Sequence, residues 1–130
     1  MLIPQRAPIV MVSSIQSYQE KGLVATFTVE DEELFVDREQ LAESGLLEHM
    51  AQSVALHTGY SYFLKGEKAP MGYIGSMQKV EIDRVPRIGE TIFSTVHILQ
   101  EFMGVTLVEI ETKLDDMVIA RASMKTVIAK

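Results

Sequence analysis

The sequence predicts an α+β domain in which one long helix lies against an antiparallel sheet, and three observations predict it. A stretch from about Arg38 to about Leu64 is rich in good helix formers and apolar on more than one side. Two β-branched, partly alternating segments precede it, and four segments of period two follow it. Short turn-like connections join those four, so successive strands should pair antiparallel with the helix against the sheet.

Taken in order, "IVMVSSIQSY" (Ile9 to Tyr18) and "LVATFTVE" (Leu23 to Glu30) read as a hairpin, with the glycine of "EKG" at its turn. "EDEELFVDREQLAESG" reads as an irregular acidic connection. In the helix, Gly45 and Gly59 are the weak points. After "KGEKAP" come "MGYIGSMQKVEIDR", "ETIFSTVHILQE", "VTLVEIETKL" and "MVIARASMKTVIA", joined by "VPRIG", "EFMG" and "DD". A helix with so few polar positions needs cover on several sides, which a strongly curved sheet supplies. That is the hot-dog arrangement: a single domain over residues 1–130, with a long central helix wrapped by an antiparallel sheet of about five to six strands. The strand from Tyr73 to Ile82 carries apolar residues on both faces, so it is expected to be an edge that pairs with a second copy or a paralogue.

Composition narrows the function. With 130 residues, 47% of them hydrophobic and 23% charged, the chain can bury one core and is not a disordered tail. A net charge of -6 without a basic block argues against nucleic acid as a partner. The absence of cysteine excludes thiolate nucleophiles and cysteine metal sites. "MLIPQRAPIVMV" is broken by Pro4 and Pro8 and does not read as a signal peptide, and no apolar run approaches the ~20 residues of a membrane span. A cytoplasmic location and no membrane partner are expected.

The polar residues inside the helix then matter most. In "SGLLEHMAQS", Glu48 and Gln52 are four apart and therefore neighbours on one face. A buried carboxylate is costly unless it is paired, hydrogen-bonded or protonated, so Glu48 is a candidate site residue. Gln52 reads as its partner, orienting the carboxyl or bridging across a dimer. With Gly45, Ala55 and Gly59 they form a stripe that either lets a ligand approach or simply packs on the sheet. His49 adjoins Glu48 but points about 100° away around the helix. His57 lies about 12 Å further along the axis, too far to share a metal with His49, and His97 is expected on the outer face of a strand. Met50, Met71, Met77 and Met103 are expected to fill the core, with an acyl tunnel as the rival role. No metal-ligand spacing and no phosphate-binding glycine loop is present, so neither a metal nor a cofactor is expected.

Three segments resemble the β-hydroxyacyl-acyl carrier protein dehydratase family of hot-dog proteins. "LIPQRAPIVMV" resembles its opening Leu-Pro-His-Arg-x-Pro segment, "LLEHMAQ" its central-helix Glu-x-Met-Ala-Gln motif, and "GYIGSMQKVEIDRVPRIGET" its glycine-bearing strand and following turn. The resemblance is nearest to the dehydratase-like subunits of aryl-polyene and flexirubin pigment clusters, some of which look like non-catalytic partners of an active dehydratase. In the family a loop His removes the α-proton of a 3-hydroxyacyl thioester, a helix carboxyl helps the hydroxyl leave, and a strand N–H polarises the thioester carbonyl.

The resemblance therefore implies catalytic Glu48 and substrate-binding Gly75, Gln52, Leu34 and Phe35. It also places Leu34 where the family has its His and Phe35 at the following aromatic position, with Ala42 and Glu43 replacing the Pro-Gly ahead of the helix. Leucine moves no proton, so a standard active site is not intact. The function implied is a dehydratase-like protein acting on 3-hydroxyacyl groups carried by acyl carrier protein, as a homodimer or heterodimer. The alternatives are a non-catalytic partner subunit and an acyl thioesterase.

Overall fold

A computed structural model of the chain describes residues 12–30, 36–37, 40–67 and 72–128. Strands β1 (Ser14–Gln19) and β2 (Gly22–Thr28) form the first hairpin, and a short pair, β3 (Val36–Asp37) and β4 (Gln40–Leu41), precedes helix α1 (Glu43–Leu64). Strands β5 (Gly72–Ile82), β6 (Thr91–Phe102), β7 (Val105–Leu114) and β8 (Met117–Ile128) follow. Six of these strands make one antiparallel sheet in the order β1-β2-β6-β7-β8-β5, so β5 is an edge as the sequence predicts.

Period-two alternation sets the inner face of the sheet. Leu23, Ala25 and Phe27 of β2, Ile92 and Val96 of β6, and Val108, Ile110 and Leu114 of β7 are buried, as are Ala120, Ala122 and Met124 of β8. Helix α1 packs on this face with Leu46, Met50, Val54 and Leu56, contacting β2, β5, β6 and β7. Ser94 of β6 and Thr112 of β7 occupy inward positions in the same alternation and are fully buried.

The helix begins at Glu43, later than the helix-forming sequence suggests. Gln40 bridges to Arg87, and Leu41 N–H donates to the Pro86 carbonyl at 2.8 Å, which commits this stretch to an extended path. Tertiary pairing here overrides local propensity. No side chain caps the helix at Ala42, while Glu43 places negative charge in the first turn, where the helix dipole favours it.

A tight turn fixes the register of β6 against β7. The β6–β7 hairpin closes on Met103 and Gly104 with φ of 52° and 80°, both left-handed, which matches the twist of the flanking strands. Met103 is 83% exposed there, so it belongs neither to the core nor to a tunnel. Met50 is a core residue, Met77 packs half-buried against the core, and Met71 lies outside the described residues.

Gly22, at the start of β2, is needed for close approach: a Cβ there would sit 2.9 Å from the carbonyl oxygen of Val96. Because that obstacle is backbone, Gly22→Ala is expected to cost about 1–3 kcal/mol. Urea unfolding with an unchanged m-value would measure it.

Candidate functional site

The candidate site is the face of α1 that carries Glu48. Gln52 Nε2 donates to Glu48 Oε1 at 3.0 Å, joining two residues one turn apart. Gln52 is 1% exposed, whereas Glu48 is half-buried. The carboxyl is therefore held from below by a buried amide while remaining open to an incoming group. The sequence suggested a buried carboxylate; in the structure it is half-buried.

The sealed polar residues of the helix are His49 and Ser53, besides Gln52. His49 Nε2 and Ser94 Oγ share a hydrogen bond of 2.7 Å, and Ser94 Oγ and Thr112 Oγ1 share another of 2.6 Å. Ser53 Oγ donates to the His49 carbonyl at 2.8 Å. The Phe27 ring stacks on the imidazole with centroids 5.6 Å apart. His49 is wholly enclosed, so it is no exposed substitute base beside Glu48. Ser94 and Thr112 are residues that reading the sequence for function passed over. The signal was available, since "IFSTV" and "IETKL" each place one hydroxyl at an inward position of an alternating strand.

Further along α1, His57 Nε2–H is shared between the carbonyls of Gln19 and Glu20 at 3.1 Å each, and the Tyr18 ring stacks on it at 5.1 Å. A cleft of about 430 Å³ opens beside these residues, lined by Tyr62, Ile98 and Thr106 among others, and neither Glu48 nor Gln52 borders it. His97 is exposed, on the outer side of β6. The stripe of small residues does not form one environment: Gly45 and Gly59 are buried, while Ala55 is exposed.

Gly75 lies in β5 between Ile74 and Ser76, where the pairing with β8 shifts register by one residue. It is the extra residue of a bulge, and a bulged residue stands outside the regular ladder. Leu34 and Phe35 lie outside the described residues. Among the described residues no group of His, Asp or Glu could hold a metal, and no helix is long and apolar enough to cross a membrane.

One helix laid on the inner face of a six-stranded antiparallel sheet, with a carboxyl on that helix, defines a hot-dog protein. The family model of the ApeP-like proteins, described as ApeP dehydratase, matches residues 1–129. The chain belongs to that family. A chain of the dehydratase heterocomplex ApeI:P from Xenorhabdus doucetiae superposes with a TM-score of 0.89 at 18% identity, over 99% of this chain and 89% of that one. The PaaI protein of the E. coli phenylacetic acid degradation operon matches with a TM-score of 0.70 at 16% identity, over 88% and 81% of the two chains. A hypothetical thioesterase with coenzyme A from Streptococcus pneumoniae matches at 0.72 and 8% identity, over 89% and 84%. At these identities the structural likenesses establish the fold. No curated protein matches the sequence.

Proposed function

We propose that the chain is a dehydratase-type hot-dog subunit that binds 3-hydroxyacyl thioesters carried by acyl carrier protein, with Glu48 as its acid. The observation that carries this reading is the half-buried Glu48 carboxyl held by buried Gln52 in a chain of the ApeP-like dehydratase family. In the reaction a base removes the α-proton, the C–O bond breaks, and the hydroxyl departs as water with a proton from the carboxyl. The bulged N–H of Gly75 would donate to the thioester oxygen as negative charge develops on it.

The α-proton base is assigned to a second hot-dog subunit. Leu34 stands where the family resemblance expects the His, and none of the three histidines offers a free imidazole beside Glu48. His49 is bonded to Ser94 and sealed, His57 is bonded to two carbonyls, and His97 is exposed on the outer face of the sheet. The similarity to a chain of a complex described as a dehydratase heterocomplex supports pairing with a second subunit. The edge strand β5 is the surface proposed for pairing, since an uncovered edge otherwise associates.

An acyl-carrier assay tests this on the purified chain alone and mixed with a paralogue that has an intact Gly-His-Phe loop. The expected result is little enoyl product from the chain alone and clear product from the mixture. Sedimentation should show a dimer at micromolar concentration, homomeric alone and heteromeric in the mixture. Monomer throughout that range counts against pairing through β5, and release of free acid in place of enoyl product would make the chain a thioesterase.

A further inference from the structure

We infer that His49 is a positioning residue for Glu48: its hydrogen bond to Ser94, continued to Thr112, fixes the rotation of α1 about its axis and so the direction of the Glu48–Gln52 pair. The inference takes Glu48 as the carboxyl of the proposed function, but it rests on contacts of its own.

Helix α1 has no narrow apolar stripe. Its buried positions, from Gly45 and Leu46 through His49, Met50, Gln52, Ser53, Val54, Leu56 and His57 to Gly59, cover more than half of its circumference. Apolar contact is non-directional, so an arc this broad resists a small rotation weakly. Hydrogen bonds are directional and do resist it. Glu48 lies at the margin of the buried arc, with Gln52 just inside it, so rotation changes its surroundings more than those of any central residue.

The sensitivity is geometric. With side chains included a helix has a radius of about 5–6 Å, so turning it by about 10° moves a side-chain tip by about 1 Å. A displacement of ~1 Å in a reacting group can cost ~10²-fold in rate. Among the described residues, His49 and His57 each hydrogen-bond α1 to the sheet, and they differ in place. His57 is held by carbonyls of the β1–β2 turn at one end of the sheet. His49 is held by Ser94 on β6, a central strand, and its ring is clamped by Phe27. It is also the residue next to Glu48.

The test compares His49→Leu, Ser94→Ala, His49→Gln and His57→Leu in the full chain. Two readouts are taken: the NMR signals of the Gln52 side-chain amide, and dehydration in the mixture with the His-bearing paralogue. His49→Leu is expected to shift the Gln52 amide signals and speed their exchange, and to lower kcat roughly ten- to hundredfold with KM little changed. Ser94→Ala should do the same in a milder substitution should His49→Leu fail to fold. His49→Gln, whose side-chain amide reaches about as far as the imidazole Nε2, should restore both readouts. His57→Leu should lose stability yet leave both unchanged.

A folded His49→Leu or Ser94→Ala protein with an unmoved Gln52 amide and unmoved kcat overturns the inference, as does an equal effect from His57→Leu. If the Gln52 signals move as expected while no preparation dehydrates a 3-hydroxyacyl thioester, the positioning role stands and the proposed function fails.

Discussion

Glu48→Gln is expected to lower dehydration by the two-subunit preparation roughly 10²–10⁴-fold, the range over which general acid assistance contributes. The substitution keeps an oxygen acceptor where Gln52 Nε2 now donates at 3.0 Å, so the pair can persist while the proton donor is lost. Stability should accordingly change by no more than about 1 kcal/mol, the worth of a typical hydrogen bond. Glu48→Ala removes the acceptor as well and should add a stability loss of about 1–3 kcal/mol, because a buried amide then loses a partner. Comparing kcat and urea midpoints of the two variants separates the chemical role from the structural one. Full activity in Glu48→Gln would assign the leaving-group proton to another residue.

Much of the fold was legible because period and turn chemistry agree along the chain. The last four strands fall within a few residues of the segments read as strands, and their turns fall on Met103-Gly104 and on Asp115-Asp116. Turn residues and alternation are local, and local signals survive in a single sequence. The start of α1 was not legible, since the residues that stop it from extending back to Arg38 are Pro86 and Arg87, some 45 positions away in the chain. The same limit governs the site. Glu48 and Gln52 are four apart on one helix, and their contact could be anticipated. The partners of His49 lie on two strands, Ser94 and Thr112, which only the folded sheet brings beneath the helix. Glu48 is more exposed than its apolar helix suggests, for a related reason. An apolar helix looks sealed all round in sequence, but the sheet of one subunit covers only part of its circumference.

Leu34→His is expected to give the isolated chain a dehydration activity that it otherwise lacks. Glu48 and the Gly75 N–H would already be present to assist the hydroxyl and polarise the carbonyl, and the substitution supplies the α-proton base at the position where the family resemblance expects it. A well-placed base is worth roughly 10²–10⁴-fold. Ala42 and Glu43 replace the Pro-Gly that shapes the adjoining turn, and a misplacement of ~1 Å removes ~10² of that. The net gain should therefore be measurable but no more than about 10²-fold, and it should vanish when Glu48→Ala is added. That second step matters more than the size of the gain, because a histidine acting elsewhere would not need the Glu48 carboxyl. Robust dehydration by the unmodified chain alone would overturn the account. His49 is enclosed and bonded to Ser94, so the base would then have to be a group other than His49.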